Sequence, residues 1–162
     1  FDLFNLFENN KSKNIKESEY LLCTGLFDDF NNDLTYYKDL FANHLNKKMI
    51  CTNPDLIVDR GNTRELCAGS VAMVFEKMGG QVVYFGKPYK EIYKMCLNKK
   101  QKTLIIGDNL RTDILGANNL NIDSVFITKG VHRSEFINDK EINNLAKSYN
   151  VKIDFFQESL KW

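Results

Sequence analysis

Apolar positions along the chain fall into short runs that alternate with helical stripes. Tyr20-Leu21-Leu22-Cys23-Thr24, stopped by Gly25, reads as a strand. Leu34, Tyr37, Leu40, Phe41 and Leu45 then recur at helical spacing, and Met49-Ile50-Cys51 is a second short apolar run. That order predicts a βαβ unit with parallel strands and a right-handed crossover. Leu56 to Leu66 is polar, contains Gly61, and reads as the crossing between two units. From Cys67 to about Lys77 a helix is predicted, whose small residues Ala68, Gly69, Ser70 and Ala72 allow close packing on a sheet before Gly79-Gly80 ends it. Val82 to Phe85 is a predicted strand. Pro88 follows where the first residue of a helix Tyr89 to Leu97 has no partner for its N–H anyway. The remaining pattern gives a strand Thr103 to Gly107, a helix Leu110 to Asn119, a strand Ser124 to Thr128, a surface helix Glu141 to Tyr149 and an edge strand Ile153 to Phe156, with Trp162 as an apolar anchor. Strands alternating with helices predict the α/β class with parallel sheet. The chain opens at Phe1 without a methionine, inside the apolar-periodic stretch Phe1 to Phe7, and so reads as an excerpt or a truncation.

Composition narrows the functional classes. Twenty-two basic residues against twenty-one acidic ones leave a net charge of +1, which gives no electrostatic footprint for nucleic acid or an anionic membrane. No apolar run approaches the roughly 18 residues of a membrane span, and no signal-peptide pattern opens the chain, so a cytoplasmic location is expected. Cys23, Cys51, Cys67 and Cys96 lack any Cys-x-x-Cys spacing and read as reduced small hydrophobes. With 43% hydrophobic residues the chain can build a core.

Candidate chemistry gathers at Leu104-Ile105-Ile106-Gly107-Asp108-Asn109-Leu110-Arg111-Thr112-Asp113-Ile114. The apolar run Leu104 to Ile106 suits a strand buried on both faces. Asp108 then stands at its carboxyl end, where open α/β sheets place their ligand crevice. Asp113, in the first turn of the following helix, can fold back beside Asp108, and two such carboxylates suit a hard cation such as Mg²⁺. The same residues suit plain helix capping, since Asn109, Thr112 and Asp113 are all favoured near a helix N-terminus. Asn53 and Asp55, after the strand that ends at Cys51, either face the crevice or only form a Pro-containing turn. His44 and His132 have no partner arrangement that suggests catalysis and read as ordinary surface or packing residues.

Taken together, Gly107-Asp108-Asn109-Leu110-Arg111-Thr112-Asp113-Ile114 and the preceding Gly86-Lys87-Pro88 resemble the third and fourth motifs of the haloacid-dehalogenase (HAD) phosphohydrolase superfamily. Cys51-Thr52-Asn53-Pro54-Asp55 narrows the resemblance to the class IIA branch, which includes nitrophenyl-phosphate, nucleotide and pyridoxal-phosphate phosphatases. The likeness runs in register from roughly Ser18 to Val131. It implies a three-layer Rossmann-like core with an incomplete parallel sheet at residues 67–162, and part of an α/β cap domain at residues 1–66 that covers the site and chooses the substrate. By resemblance Lys87 is the catalytic lysine, Asp108 ligates Mg²⁺ directly, and Asp113 ligates it directly or through water. Asn53, Asp55 and Asn109 would face the substrate or its metal-bound water. The implied reaction is hydrolysis of a small phosphorylated metabolite through an aspartyl-phosphate.

The family's first two motifs, Asp-x-Asp-Gly after an apolar strand and a strand-end Ser or Thr, have no counterpart here. Asp28-Asp29 follows Phe27 but lacks the spacing and the glycine. Two expectations follow from the resemblance. Either the chain is the C-terminal portion of a Mg²⁺-dependent phosphatase, inactive alone because its nucleophile lies in a missing N-terminal segment, or it is the product of a split or decayed gene acting as a non-catalytic binding module. The family's sheet would also set two missing strands between those ending at Gly86 and Gly107. Leu104 to Ile106 is then left with an unpaired edge, which predicts a homodimer or an association with the missing segment.

Overall fold

A computed structural model describes residues 10–98 and 101–161. The expectations for Phe1 to Phe7 and for Trp162 lie outside the described residues. The architecture is α/β, as the alternation predicts, and the described residues form two parallel three-stranded sheets and a hairpin.

The first sheet has the order β1-β2-β5, from Tyr20–Cys23, Lys48–Cys51 and Gln81–Tyr84, with Cys23 opposite Cys51 and Cys51 opposite Tyr84. Helices α1 (Leu34–Phe41) and α2 (Ala68–Lys77) bury their apolar stripes against it. Asp33 starts α1 by accepting the N–H groups of Thr35 and Tyr36, satisfying two donors that have no partner inside the helix. Tyr37 and Phe41 of α1, Val71, Ala72 and Phe75 of α2, and Met49 and Cys51 of β2 form one core. The thiols of Cys23 and Cys51 lie within it. The hydrogen bond to Cys51 and burial push the Cys23 thiol up, so it stays protonated. All four cysteines are free; Cys23 and Cys51 are buried, Cys67 is partly buried and Cys96 is exposed.

This packing moves the boundary read from the sequence. A division at residue 66 would cut through a single core, because α2 and β5 complete the layer that β1 and β2 begin. β5 hydrogen-bonds to β2 and not to the strand ending at Gly107, so the two strands expected to share a sheet belong to different ones. The chain passes from the first sheet to the second after Phe85. Leu56 to Leu66 is likewise no simple connection. It forms an antiparallel hairpin of β3 (Ile57–Arg60) and β4 (Thr63–Leu66), turning at Gly61, whose φ of +59° suits the first central position of a two-residue hairpin turn.

The second sheet has the order β6-β7-β8, from Ile105–Gly107, Ser124–Ile127 and Phe155–Gln157, all parallel. Leu110, Ile114, Phe126, Ile142 and Leu145 form its core, the last two from α5 (Ile142–Ser148). β6 is not buried on both faces as its apolar run suggests. It is an edge strand, with Leu104 48% and Ile106 39% exposed. Among the described residues its outer edge pairs with no strand. Among the same residues, no helix is long and apolar enough to cross a membrane.

Candidate active site between the two sheets

The polar cluster lies where strand ends of both sheets meet. Asp55 follows β2, Lys87 follows β5, Asp108 to Asp113 follow β6, and Val131 and His132 follow β7. Carboxyl ends of parallel strands are where open α/β sheets form ligand crevices.

Lys87 sits in a turn closed by the Tyr89 N–H on the Gly86 carbonyl, and its peptide to Pro88 is cis. Pro88 is therefore part of this turn rather than the first residue of a helix, and α3 begins later, at Lys90–Cys96. The ammonium donates to Asp113 Oδ1 at 2.6 Å and lies 3.9 Å from Asp55 Oδ2. Burial works against the Lys87 charge. The hydrogen bond that Lys87 donates to Asp113 and the negative charge of Asp113 and Asp55 outweigh it and hold the lysine above its ordinary value. One lysine thus ties the end of β5 to the turn after β6.

That turn is irregular. Leu110–Ile114 form a π-type turn, in which the Ile114 N–H donates to the Asn109 carbonyl at 3.2 Å, before α4 continues at Leu115–Leu120. Such turns within helices recur at functional sites. Asn109 Oδ1 accepts from Arg111 N–H, and Asp113 Oδ2 reaches back to accept from Asn109 N–H at 3.1 Å, a reciprocal cap. Capping and the lysine bond therefore coexist on Asp113, one per oxygen, so the two uses left open by the sequence are both realised. The carboxylate is buried, with its carbon so close to Gly107 that a Cβ there would stand 2.3 Å away. Asp108 accepts the Val131 N–H on Oδ2 at 2.9 Å and presses against Gly130, where a Cβ would meet Oδ2 at 2.1 Å. Both carboxylates need a glycine beside them to fit.

Asp55 bridges from the first sheet. Its Oδ1 accepts from Thr112 Oγ1 at 2.6 Å and from Asn109 Nδ2 at 3.0 Å. Asn53 stays local, its Oδ1 accepting the Asp55 N–H at 3.1 Å and so turning Asp55 toward the crevice. The structure thus brings Lys87, Asp55, Asn109 and Asp113 into one network, with Asp108 one residue before it and Asn53 behind Asp55.

Several participants were not singled out from the sequence. The sequence marks Thr112 only as a helix-start residue. The hairpin joins too: Arg64 chelates Asp59 at 2.9 and 3.2 Å and donates to the Val131 carbonyl at 2.6 Å, while Arg133 also pairs with Asp59. The hydrogen bond from Arg64, with that from Arg133, holds the Asp59 carboxyl below its usual range even though burial opposes this. The Gly61-Asn62 dipeptide between two short runs is the available signal for this hairpin. His132 is neither exposed nor merely packed. It is 2% exposed, its Nε2 accepts the Leu110 N–H at 3.1 Å, and its Nδ1 lies 2.8 Å from Glu135 Oε1.

Asp55, Asp108 and Asp113 against Lys87 leave an excess of negative charge around the crevice, which suits a cation better than a bare anionic substrate. The donors are hard oxygens of the kind Mg²⁺ takes, and among the described residues Asp108 Oδ1 receives no hydrogen bond. Among the described residues, however, no group of three or more His, Cys, Asp or Glu is placed to hold a metal ion.

A family profile for HAD-hydrolase-like proteins matches residues 84–152. The chain is 36% identical over 89 residues to the ribonucleotide monophosphatase NagD of Escherichia coli (strain K12), covering 52% of this chain and 34% of that protein. It is 31% identical over 100 residues to an acid sugar phosphatase of Staphylococcus epidermidis, covering 59% and 39% respectively. The chain therefore spans little more than a third of the curated relatives it matches. Its fold is similar to a haloacid dehalogenase-like hydrolase from Brucella suis 1330, with a TM-score of 0.74 at 28% identity over 93% of this chain and 59% of that one. A p-nitrophenyl phosphatase from Archaeoglobus fulgidus shares the fold at a TM-score of 0.60 and 19% identity, over 90% of this chain and 55% of that one. By motif, geometry and likeness, this chain is similar to the HAD-like hydrolases, NagD among them, over part of their length.

Proposed function

We propose that this chain carries the lysine and the metal-holding carboxylates of a Mg²⁺-dependent phosphatase acting on a small phosphorylated metabolite, with the aspartyl nucleophile supplied by a segment N-terminal to it. The observation that carries this reading is the 2.6 Å bond from Lys87 to Asp113, which joins the ends of β5 and β6 at a crevice. Lys87, with its side chain 43% exposed, keeps its charge and can reach a phosphate oxygen while Asp113 anchors it. Its ammonium would offset the repulsion between an anionic nucleophile and an anionic ester. Asp108 and Asp113 would hold the Mg²⁺, and when bound the cation supplies further positive charge against the phosphate. Asn109 and Asp55 would orient groups that enter from the side of the first sheet. The layer of β1, β2 and β5 with its hairpin would act as the cap, and the layer of β6 to β8 as part of the core.

The test is reconstitution. The chain alone should not hydrolyse nitrophenyl phosphate above background, and mixing it with a polypeptide that supplies the family's first two motifs should restore turnover. Robust activity in the isolated chain would show that the nucleophile lies within it. Association with that polypeptide without any turnover would favour the reading as a non-catalytic binding module.

A further inference from the structure

We propose that His132 is a positioning residue for the turn Asp108 to Asp113, acting as the hydrogen-bond acceptor that fixes the Leu110 peptide. Its relevance to cation binding rests on the reading of that turn given above. Leu110 is 0% exposed, so its N–H cannot turn to water, and it stands at the start of a helical turn where backbone donors lack partners within the helix. His132 Nε2 takes that N–H at 3.1 Å. An imidazole nitrogen that accepts carries no proton, so the ring proton is on Nδ1 and is donated to Glu135 Oε1 at 2.8 Å.

The rest of the network locks this orientation. Glu135 Oε2 accepts from the Tyr149 hydroxyl at 2.6 Å, and the Tyr149 ring meets the imidazole edge to face, with centroids 4.8 Å apart. The Arg111 guanidinium lies 4.8 Å over the same tyrosine ring, and the Arg111 N–H returns to Asn109 Oδ1. The residue before His132 completes the grip, because Val131 N–H holds the Asp108 carboxylate itself. Adjacent residues of one loop therefore hold Asp108 and the peptide two residues after it. A packing residue would need neither nitrogen of the ring. Here both are used, and one of them serves the candidate site.

The unmodified chain gives the first test. Nitrogen chemical shifts of a labelled sample should show the His132 proton on Nδ1, and a proton on Nε2 would overturn the proposal. Two variants then separate hydrogen bonding from packing. His132→Gln keeps an acceptor near the Nε2 position, whereas His132→Phe keeps the ring volume without it. Leu110 amide exchange should stay slow in the Gln variant and become fast in the Phe variant. Mn²⁺ affinity should fall by about tenfold or more in the Phe variant, the range typical of lost outer-shell partners, and stay close to the unmodified chain in the Gln variant. Unchanged exchange and unchanged affinity in the Phe variant would reduce His132 to packing. If the unmodified chain and its Asp108→Asn variant take up Mn²⁺ identically, the metal reading fails, and the amide exchange then decides the role of His132 by itself.

Discussion

Replacing Lys87 with alanine in the reconstituted phosphatase is expected to lower turnover by about 10²–10³-fold, the loss seen when one preorganised electrostatic group is removed from a reaction centre. The side chain is the only cation in contact with Asp55 and Asp113 among the described residues, so its loss leaves two carboxylates facing each other across the crevice. Lys87→Arg would keep the charge but change its shape and reach, and should recover only part of the rate. Steady-state kinetics with nitrophenyl phosphate checks both variants, and a Lys87→Ala rate within threefold of the unmodified protein, well inside that ~10²-fold expectation, would remove Lys87 from the mechanism.

The largest expected effect on stability lies in the core of the first sheet. Phe75 is 0% exposed, meets Phe41 edge to face at 5.1 Å, and joins α1 and α2 over the first sheet. Phe75→Ala should destabilise the protein by about 3–5 kcal/mol, the usual range for emptying a large buried site. Against a typical total of about 5–15 kcal/mol, that loss should melt the first layer at moderate temperature. Asp55 should lose its place beside Thr112 with it, because the loop carrying Asp55 is held by β2 and by the start of α2. Urea unfolding measures the change directly. A loss below about 1 kcal/mol would mean that the site can collapse around the missing ring.

Much of this was legible in the sequence because it is local. Short apolar runs ending in glycine mark β1 and β6, and the Gly-Asp-Asn-Leu-Arg-Thr-Asp turn announces its carboxylates by their position after a strand. What escaped was decided by pairing between distant residues. Nothing in Gln81-Val82-Val83-Tyr84 says which strand it joins, and the shared core of Met49, Cys51, Val71 and Phe75 drew it to β2. Leu104 to Ile106 looks like a fully buried strand because an apolar run on a sheet edge has the same composition as one at its centre. His132 carried no motif; its role comes from a loop 22 residues after Leu110 folding back under the turn. Asp55 meeting Asn109 and Thr112 is likewise a product of the two sheets meeting, the partners lying 54 and 57 positions apart in the chain.

Cation binding by Asp108 and Asp113 beside Lys87 is tested most directly by calorimetric titration of Mg²⁺ into the unmodified chain and into Asp108→Ala. Two carboxylates without the rest of a shell supply too few ligands for a hard six-coordinate ion. The unmodified chain should therefore bind Mg²⁺ weakly, and the heat of binding should vanish in Asp108→Ala. Tight binding that survives the substitution would place the cation elsewhere and contradict the account.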